Sequence, residues 1–238
     1  MFIRGRIYYM SKPNFDEEKI LWQQGFEYVV GLDEVGRGPL AGPVVAGAVL
    51  IKANVEILID GINDSKKVSE KNRNKLYELI TNNKDIEWGI GIVSEKVIDK
   101  INILEATKLA MCEAVAQIEK KINNKVDYLL IDGNFTLRQA QGEQYILQKA
   151  IVKGDQKVMS IAAASIIAKV TRDRIMEEMH KKYPHYGFDK HKGYGTEAHM
   201  KVLRKIGNCP IHRESFNWEK KMKKVIHCLP LVLKNNNR

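Results

Sequence analysis

A chain of 238 residues, 44% of them hydrophobic, is long enough for one sizeable apolar core and too short for several large domains. Lys and Arg number 39 against 29 Asp and Glu, and the resulting net charge of +10 favours a polyanionic partner, nucleic acid first. No apolar run approaches the roughly 20 residues that span a bilayer, which excludes a helical membrane protein.

Met1 to Gln24 interrupts its apolar residues with Arg4, Arg6, Lys12, Asp16, Glu17, Glu18 and Lys19 and predicts no export signal. Tyr28–Asp33 and Val44–Ile51 are β-branched apolar runs separated by Gly and Pro, and they predict two paired strands. Asp64 to Ile80 reads as a loop entering a helix that Ser69 caps, with Leu76, Leu79 and Ile80 as its apolar stripe. Ile86–Val93 returns to strand character. Leu104–Ile122 has the three- and four-residue apolar spacing of an amphipathic helix. Val126–Ile131 predicts a buried strand, Asn134–Gln148 a surface loop, and Ala150–Val152 a short strand. Ser160–Lys182 is the longest helical stretch, and its I-A-A-A-S-I-I-A opening suits close packing on a sheet. Tyr183–Tyr194 reads as a loop, and Thr196 caps a helix over Glu197–Ile206. Strands first and then alternating helices and strands predict an α/β or α+β layer with a mixed sheet and a small helical C-terminal region.

Cys112, Cys209 and Cys228 form an odd set without C-x-x-C spacing, which argues against a disulfide framework or structural zinc and for a reducing compartment. His185, His191, His199 and His212 lack zinc-site spacing, so structural or phosphate-facing roles are expected of them. A soluble, cytoplasmic monomer is the expectation.

Four acids stand where strands end. Asp33 and Glu34 close an apolar run and lead into Gly36-Arg37-Gly38, a turn where backbone amides can approach a phosphate. In a regular strand the two would face opposite sides of the sheet, so both reach one cluster only if the strand ends there. Asp132 ends the Tyr128–Ile131 run, and Asp155 follows Lys153-Gly154. Carboxylates at neighbouring strand ends suit Mg²⁺ or Mn²⁺, which take a few such ligands beside waters and a substrate phosphate. Taken singly, each acid also fits a turn or a cap, and Asp155 could cap the helix after it. Lys66, Lys67, Lys169, Thr171, Arg172 and Lys181-Lys182 are the pool for a phosphate track, with Lys66 and Thr171 favoured because they lie inside motifs.

The motifs D-E-V-G-R-G at Asp33–Gly38, N-D-S-K-K at Asn63–Lys67, L-I-D-G-N at Leu130–Asn134 and K-G-D at Lys153–Asp155 come in order. A-A-A-S-I-I-A-K-V-T-R-D at Ala162–Asp173, H-K-G-Y-G-T at His191–Thr196 and C-P-I-H-R-E-S-F at Cys209–Phe216 follow them. Together they resemble the bacterial ribonuclease HII family. The resemblance implies a ribonuclease H-like catalytic domain over 27–218, with an N-terminal extension over 1–26 and a basic tail over 219–238.

It further implies an active site of Asp33, Glu34, Asp132 and Asp155 holding two divalent ions, Mn²⁺ or Mg²⁺, on one phosphodiester. The implied substrates are RNA–DNA hybrids and duplex DNA with embedded ribonucleotides. Incision falls 5′ of the ribonucleotide and leaves 5′-phosphate and 3′-hydroxyl ends. The Gly36-Arg37-Gly38 turn then grips the 2′-hydroxyl, which distinguishes RNA from DNA, and Tyr194 packs on the next sugar. Without the resemblance, Tyr194 reads as a half-buried loop aromatic that anchors packing. Some members of the class reach DNA through a sliding clamp, but nothing in 220–238 assigns such a contact.

Two rivals remain at this point. A basic protein that only binds nucleic acid has no use for acids beside a phosphate turn, since they repel phosphate unless a cation intervenes. The other is a different metal nuclease or a phosphotransferase on the same fold, and a DNA-only nuclease has no use for a 2′-hydroxyl reader.

Overall fold

In the computed structural model, residues 12–53, 62, 68–137 and 146–216 are described. The strands β1 (Val29–Val35), β2 (Val44–Ile51), β3 (Ile86–Val93), β4 (Tyr128–Asp132) and β5 (Leu147–Ile151) form one mixed sheet in the order β3-β2-β1-β4-β5. β3, β2 and β1 pair antiparallel, whereas β1, β4 and β5 run parallel. Every residue of β2 is buried, as a continuous apolar run predicts for a strand covered on both faces.

The helices are α1 (Asp16–Gln23), α2 (Glu70–Thr81), α3 (Glu95–Ile122), α4 (Met159–Lys182), α5 (Phe188–His191) and α6 (Glu197–Ile206). Val30 and Leu32 of β1 and Ala46 and Ala48 of β2 pack against Ala106, Ala110 and Met111 of α3. On the other face, Val49 and Ile51 meet Leu76 and Ile80 of α2 and Ala163, Ile166 and Ile167 of α4. The small residues of α4 let it lie directly on the sheet: a Cβ at Gly47 would come 2.3 Å from the Ala164 carbonyl oxygen. Beyond the sheet, Leu40, Met176, Phe188, Leu203 and Ile211 join the end of α4 to the expected small helical region. Among the described residues, no helix is long and apolar enough to cross a membrane.

Several boundaries differ from the sequence reading. α3 starts at Glu95 rather than Leu104, because two helices meet at Asn102 (φ 67°, ψ 165°). The Asn102 Oδ1 accepts from the Leu104 and Glu105 amides at 2.9 and 3.2 Å and so caps the second helix, which is where the amphipathic period begins. β5 starts at Leu147 and ends at Ile151 rather than spanning Ala150–Val152, so the polar stretch before it is not all loop. As an edge strand it carries polar residues, and Gln148 hydrogen-bonds the Leu137 amide and carbonyl. The Tyr183–Tyr194 stretch contains a 3-10 turn at Pro184–Tyr186 as well as α5. α1 escaped the sequence reading because only Glu18 and Leu21 of its eight residues are buried, too few for a stripe.

The other edge of the sheet is covered by side chains. Glu113 Oε2 accepts from the Ile92 amide at 3.2 Å. Gln117 accepts from the Ile90 amide at 3.0 Å and donates to the Ile90 carbonyl at 2.6 Å, and Lys121 donates to the Trp88 carbonyl at 2.6 Å. These α3 residues satisfy backbone groups that an open edge would offer to another strand.

Candidate active site at the ends of the central strands

In the parallel pairing of β1 with β4, Leu32 stands opposite Ile131. One residue further along, Asp33 within β1 and Asp132 at the end of β4 stand at the same level on neighbouring strands. Val29, Leu130 and the α4 residue Ile161 share one cluster. Strand alternation therefore turns Asp33 and Asp132 toward α4 as well. Asp155 arrives on the 3-10 turn Gly154–Gln156, which the chain enters through Lys153 in the left-handed region. The Gly154 amide donates to Asp132 Oδ1 at 2.7 Å, so one acid holds the turn that carries the other. Asp155 is not the cap of α4: the N-cap is Val158, and the first amides of α4 go to the Asn14 carbonyl and to Glu18.

Glu34 departs from the expected geometry. β1 does not end at Asp33-Glu34 but stays paired to β2 through Val35 and Val45, so alternation directs Glu34 to the α3 side. There its Oε1 accepts from Arg37 Nη1 at 3.2 Å. It remains close enough to act on Asp33. Burial pushes the Asp33 carboxyl well above the usual carboxylate range, and the charges of Glu34, Asp132 and Asp155 push it the same way, while a hydrogen bond from Ser165 opposes them. The fold thus brings all four predicted acids into one electrostatic neighbourhood.

Asp33 and Asp155 are only 6% and 5% exposed, and buried acids at such spacing repel one another. Among the described residues, no group of three or more His, Cys, Asp or Glu closes by itself into a metal-holding cluster. The donor set is all oxygen and its excess negative charge favours a bound cation, a fit to Mg²⁺ or Mn²⁺ completed by water and phosphate rather than to an enclosed metal.

Beside the acids lies the Gly36-Arg37-Gly38 turn. Gly36 has φ 95°, and a Cβ there would come 2.3 Å from Arg172 Nε, so the position requires glycine twice over. Two buried guanidiniums tie the turn, the 41–43 stretch after it and the Tyr194 loop together by their carbonyls. Arg172 donates to Pro43, Lys192 and Ala41 at 3.0, 3.0 and 3.2 Å. Arg213 donates to Gly42, Arg37 and Gly36 at 3.0, 3.1 and 2.5 Å. Burial pushes Arg172 down to about 10 and Arg213 down to about 9, so both stay protonated at neutral pH.

Arg172 is therefore corrected from a surface phosphate contact to an internal strut. Its place seven residues after Ser165 turns it onto the same helix face, inward rather than outward. Arg213 was missed as a functional residue, since nothing in its spacing signals that it reaches back across the chain.

Tyr194 is 44% exposed, and its Cε1 lies 3.6 Å from where a Gly38 Cβ would stand. The Gly193 carbonyl accepts from the Leu40 amide at 2.8 Å, which docks the Tyr194 loop on the glycine turn. Arg37 lies over the Phe135 ring at 5.8 Å. Thr171 sits six residues past Ser165, about 9 Å further along α4. It lines a groove of about 460 Å³ with Tyr77, Arg174 and Ile175, on the α2 side. Lys169 pairs with Asp173 at 2.6 Å and Lys181 with Glu178 at 2.6 Å. Lys66 and Lys67, with the motif around them, and the basic tail lie outside the described residues.

Three comparisons bear on this arrangement. Residues 30–219 match the family model described as Ribonuclease HII. The chain is 50% identical over 208 residues to Ribonuclease HII of Chlamydia caviae, covering 87% of this chain and 92% of that protein. It is 55% identical over 199 residues to Ribonuclease HII of Acetivibrio thermocellus, covering 84% and 73% respectively. Among solved structures, ribonuclease H2 from Pyrococcus horikoshii superposes with a TM-score of 0.62 at 28% identity, over 84% of this chain and 99% of that one. A mixed sheet ending in buried acids, a family model spanning most of the chain and relatives at half identity agree: the chain belongs to the ribonuclease HII family.

Proposed function

We propose that this endoribonuclease cuts the RNA strand of RNA–DNA hybrids and incises duplex DNA on the 5′ side of a single embedded ribonucleotide, leaving 5′-phosphate and 3′-hydroxyl ends. The observation that carries the reading is the juxtaposition of Asp33, Asp132 and Asp155 with the Gly36–Gly38 turn and the exposed Tyr194 ring. Asp33, Glu34, Asp132 and Asp155 would hold two Mg²⁺ or Mn²⁺ ions, which when bound supply activation of the attacking water and stabilisation of the leaving oxygen.

The chain's own residues place the substrate. The turn's amides and the Arg37 side chain meet the ribose 2′-hydroxyl and the adjoining phosphate, a group that DNA lacks. Tyr194 packs on the following sugar, so the site reads a ribose followed by a deoxyribose. Lys66 and Thr171 contact backbone phosphates and contribute a salt-dependent, sequence-independent part of binding. The catalytic unit is assigned to 27–218. The same chemistry suits removal of ribonucleotides left in replicated DNA.

The test is a labelled duplex with one ribonucleotide, run beside an all-DNA duplex of the same sequence and a continuous hybrid, with the product ends mapped. Incision of the hybrid and 5′ of the ribonucleotide, with the all-DNA duplex intact, is expected. Equal cutting of the DNA duplex would make the chain a general nuclease, and binding without cutting under either metal would make it a binding protein.

A further inference from the structure

Three histidines stand beneath the Tyr194 loop, and two of them form a hydrogen-bonded line. His199 Nδ1 is 2.9 Å from the Tyr194 carbonyl oxygen, and its Nε2 is 3.0 Å from His212 Nε2. His212 Nδ1 accepts from the Cys209 amide at 2.9 Å. The proton positions follow from the Tyr194 end. A carbonyl only accepts, so His199 carries its proton on Nδ1 and offers a lone pair at Nε2. The 3.0 Å contact between the rings then needs the His212 proton on Nε2, so His212 Nδ1 accepts from the Cys209 amide, with the Cys209 carbonyl oxygen 3.1 Å away. With one proton on each ring, every nitrogen in the line has a partner.

The line connects the two halves of the site. His212 pairs with Ala41 in an antiparallel bridge, the Gly42 amide donates to the Ile211 carbonyl, and the Arg213 amide donates to the Leu40 carbonyl. One end is thereby part of the segment that continues the glycine turn, and the other end grips the main chain of Tyr194. His191 stacks on His199 with centroids 4.3 Å apart, its Nδ1 accepting from the Gly193 amide and its Nε2 donating to the Tyr186 carbonyl. Tyr186 and Phe188 enclose the rings.

We propose that His199 and His212 are positioning residues for substrate specificity: a neutral two-imidazole relay sets the distance between the 2′-hydroxyl-reading turn and the Tyr194 ring. The proposal rests on the assignment of Tyr194 as the reader of the sugar after the ribonucleotide. Burial supports it, holding His199 down to about 4 and pushing His212 and His191 down as well, so the rings are neutral at neutral pH. An imidazolium at His199 would put two protons between the facing Nε2 atoms, and one at His212 would set an Nδ1 proton against the Cys209 amide.

The experiment measures the ratio of kcat/KM on a duplex with one embedded ribonucleotide to kcat/KM on a continuous RNA–DNA hybrid. Tyr194→Ala lowers the ratio about tenfold, and His199→Leu lowers it about fivefold, the scale of a lost buried hydrogen bond. The double variant falls no lower than Tyr194→Ala alone, because both act through one ring. His212→Gln, whose amide can donate where Nε2 did, keeps the ratio, and His212→Leu lowers it; this pair decides the matter if His199→Leu does not fold. An unchanged ratio in Tyr194→Ala removes the reader and the relay together. A changed ratio in Tyr194→Ala with none in folded His199→Leu, additive losses in the double variant, or equal behaviour of His212→Gln and His212→Leu overturns the relay and leaves the Tyr194 assignment standing.

Discussion

Glu18 accepts two hydrogen bonds from Ser160, one from its backbone amide at 2.8 Å and one from its hydroxyl at 2.7 Å, and so serves the start of α4 from a helix 142 residues away in sequence. The carboxylate is 1% exposed. Burial raises its pKa, and the two bonds from Ser160 only partly offset that. A raised carboxylate favours its protonated form in the fold, so Glu18 contributes most below the unfolded value and loses contribution as pH rises through the folded one. Glu18→Gln keeps an acceptor for Ser160 without the charge. Urea midpoints of the wild type and Glu18→Gln should therefore diverge as pH rises above about 4.5, the wild type losing ground. Parallel midpoints would mean that the carboxylate is not penalised.

Arg213→Lys removes a planar fork that reaches three carbonyls of the glycine turn and replaces it with a single ammonium. The Gly36 and Gly42 carbonyls lose donors in buried positions, so a loss on the order of 3 kcal/mol in unfolding free energy is expected. Cleavage should also fall below the level that the remaining folded fraction accounts for. Full specific activity at a temperature where the variant is folded would show that the turn keeps its shape without Arg213.

Asp99 fastens the C-terminal motif to the first part of α3, accepting from the Glu214 amide and the Ser215 amide at 2.9 Å and from the Ser215 hydroxyl at 2.5 Å. Burial alone would raise its pKa, but the bonds from Ser215 and Glu214 outweigh it and hold the carboxyl below its ordinary range. Its stabilisation is present above the unfolded value and disappears as pH falls through the lowered folded one. The group is largely solvent-screened, so Asp99→Asn should cost only about 0.5–1 kcal/mol at pH 7. That difference should shrink as pH falls below about 3.8 in denaturation curves; a constant difference would assign the effect to packing.

Gln117 occupies both backbone groups of Ile90 on the outer edge of β3. Gln117→Ala reopens that edge beside Ile92, which is 46% exposed. Light scattering on a concentration series should show self-association of the variant where the wild type shows none, since an uncovered edge templates another strand. Identical behaviour would mean that Glu113 and Lys121 suffice.

What could be read from sequence was local. Asp33 and Asp132 were legible because each closes a buried apolar run, and β-pairing needs no further information to put such ends together. The caps Ser69 and Thr196 were legible because each acts on an amide three residues on. The contacts of Glu18, Arg172 and Arg213 were not, since each joins segments more than a hundred residues apart and no spacing rule links them. The histidines lacked metal spacing, which was informative, but a buried relay between His199 and His212 has no linear signature. The strand end expected at Glu34 was misjudged for a physical reason: the glycines after it permit one, yet pairing with β2 carries β1 past it.

The most direct test of the central claim is incision of a duplex containing one ribonucleotide by the wild type and Asp132→Asn, each with Mn²⁺, Mg²⁺ or EDTA. Cleavage 5′ of the ribonucleotide by the wild type with metal, abolished by EDTA and reduced at least about a thousandfold in a folded Asp132→Asn, is the predicted result. Undiminished incision by Asp132→Asn, or incision by the wild type in EDTA, would contradict an active site built on these carboxylates.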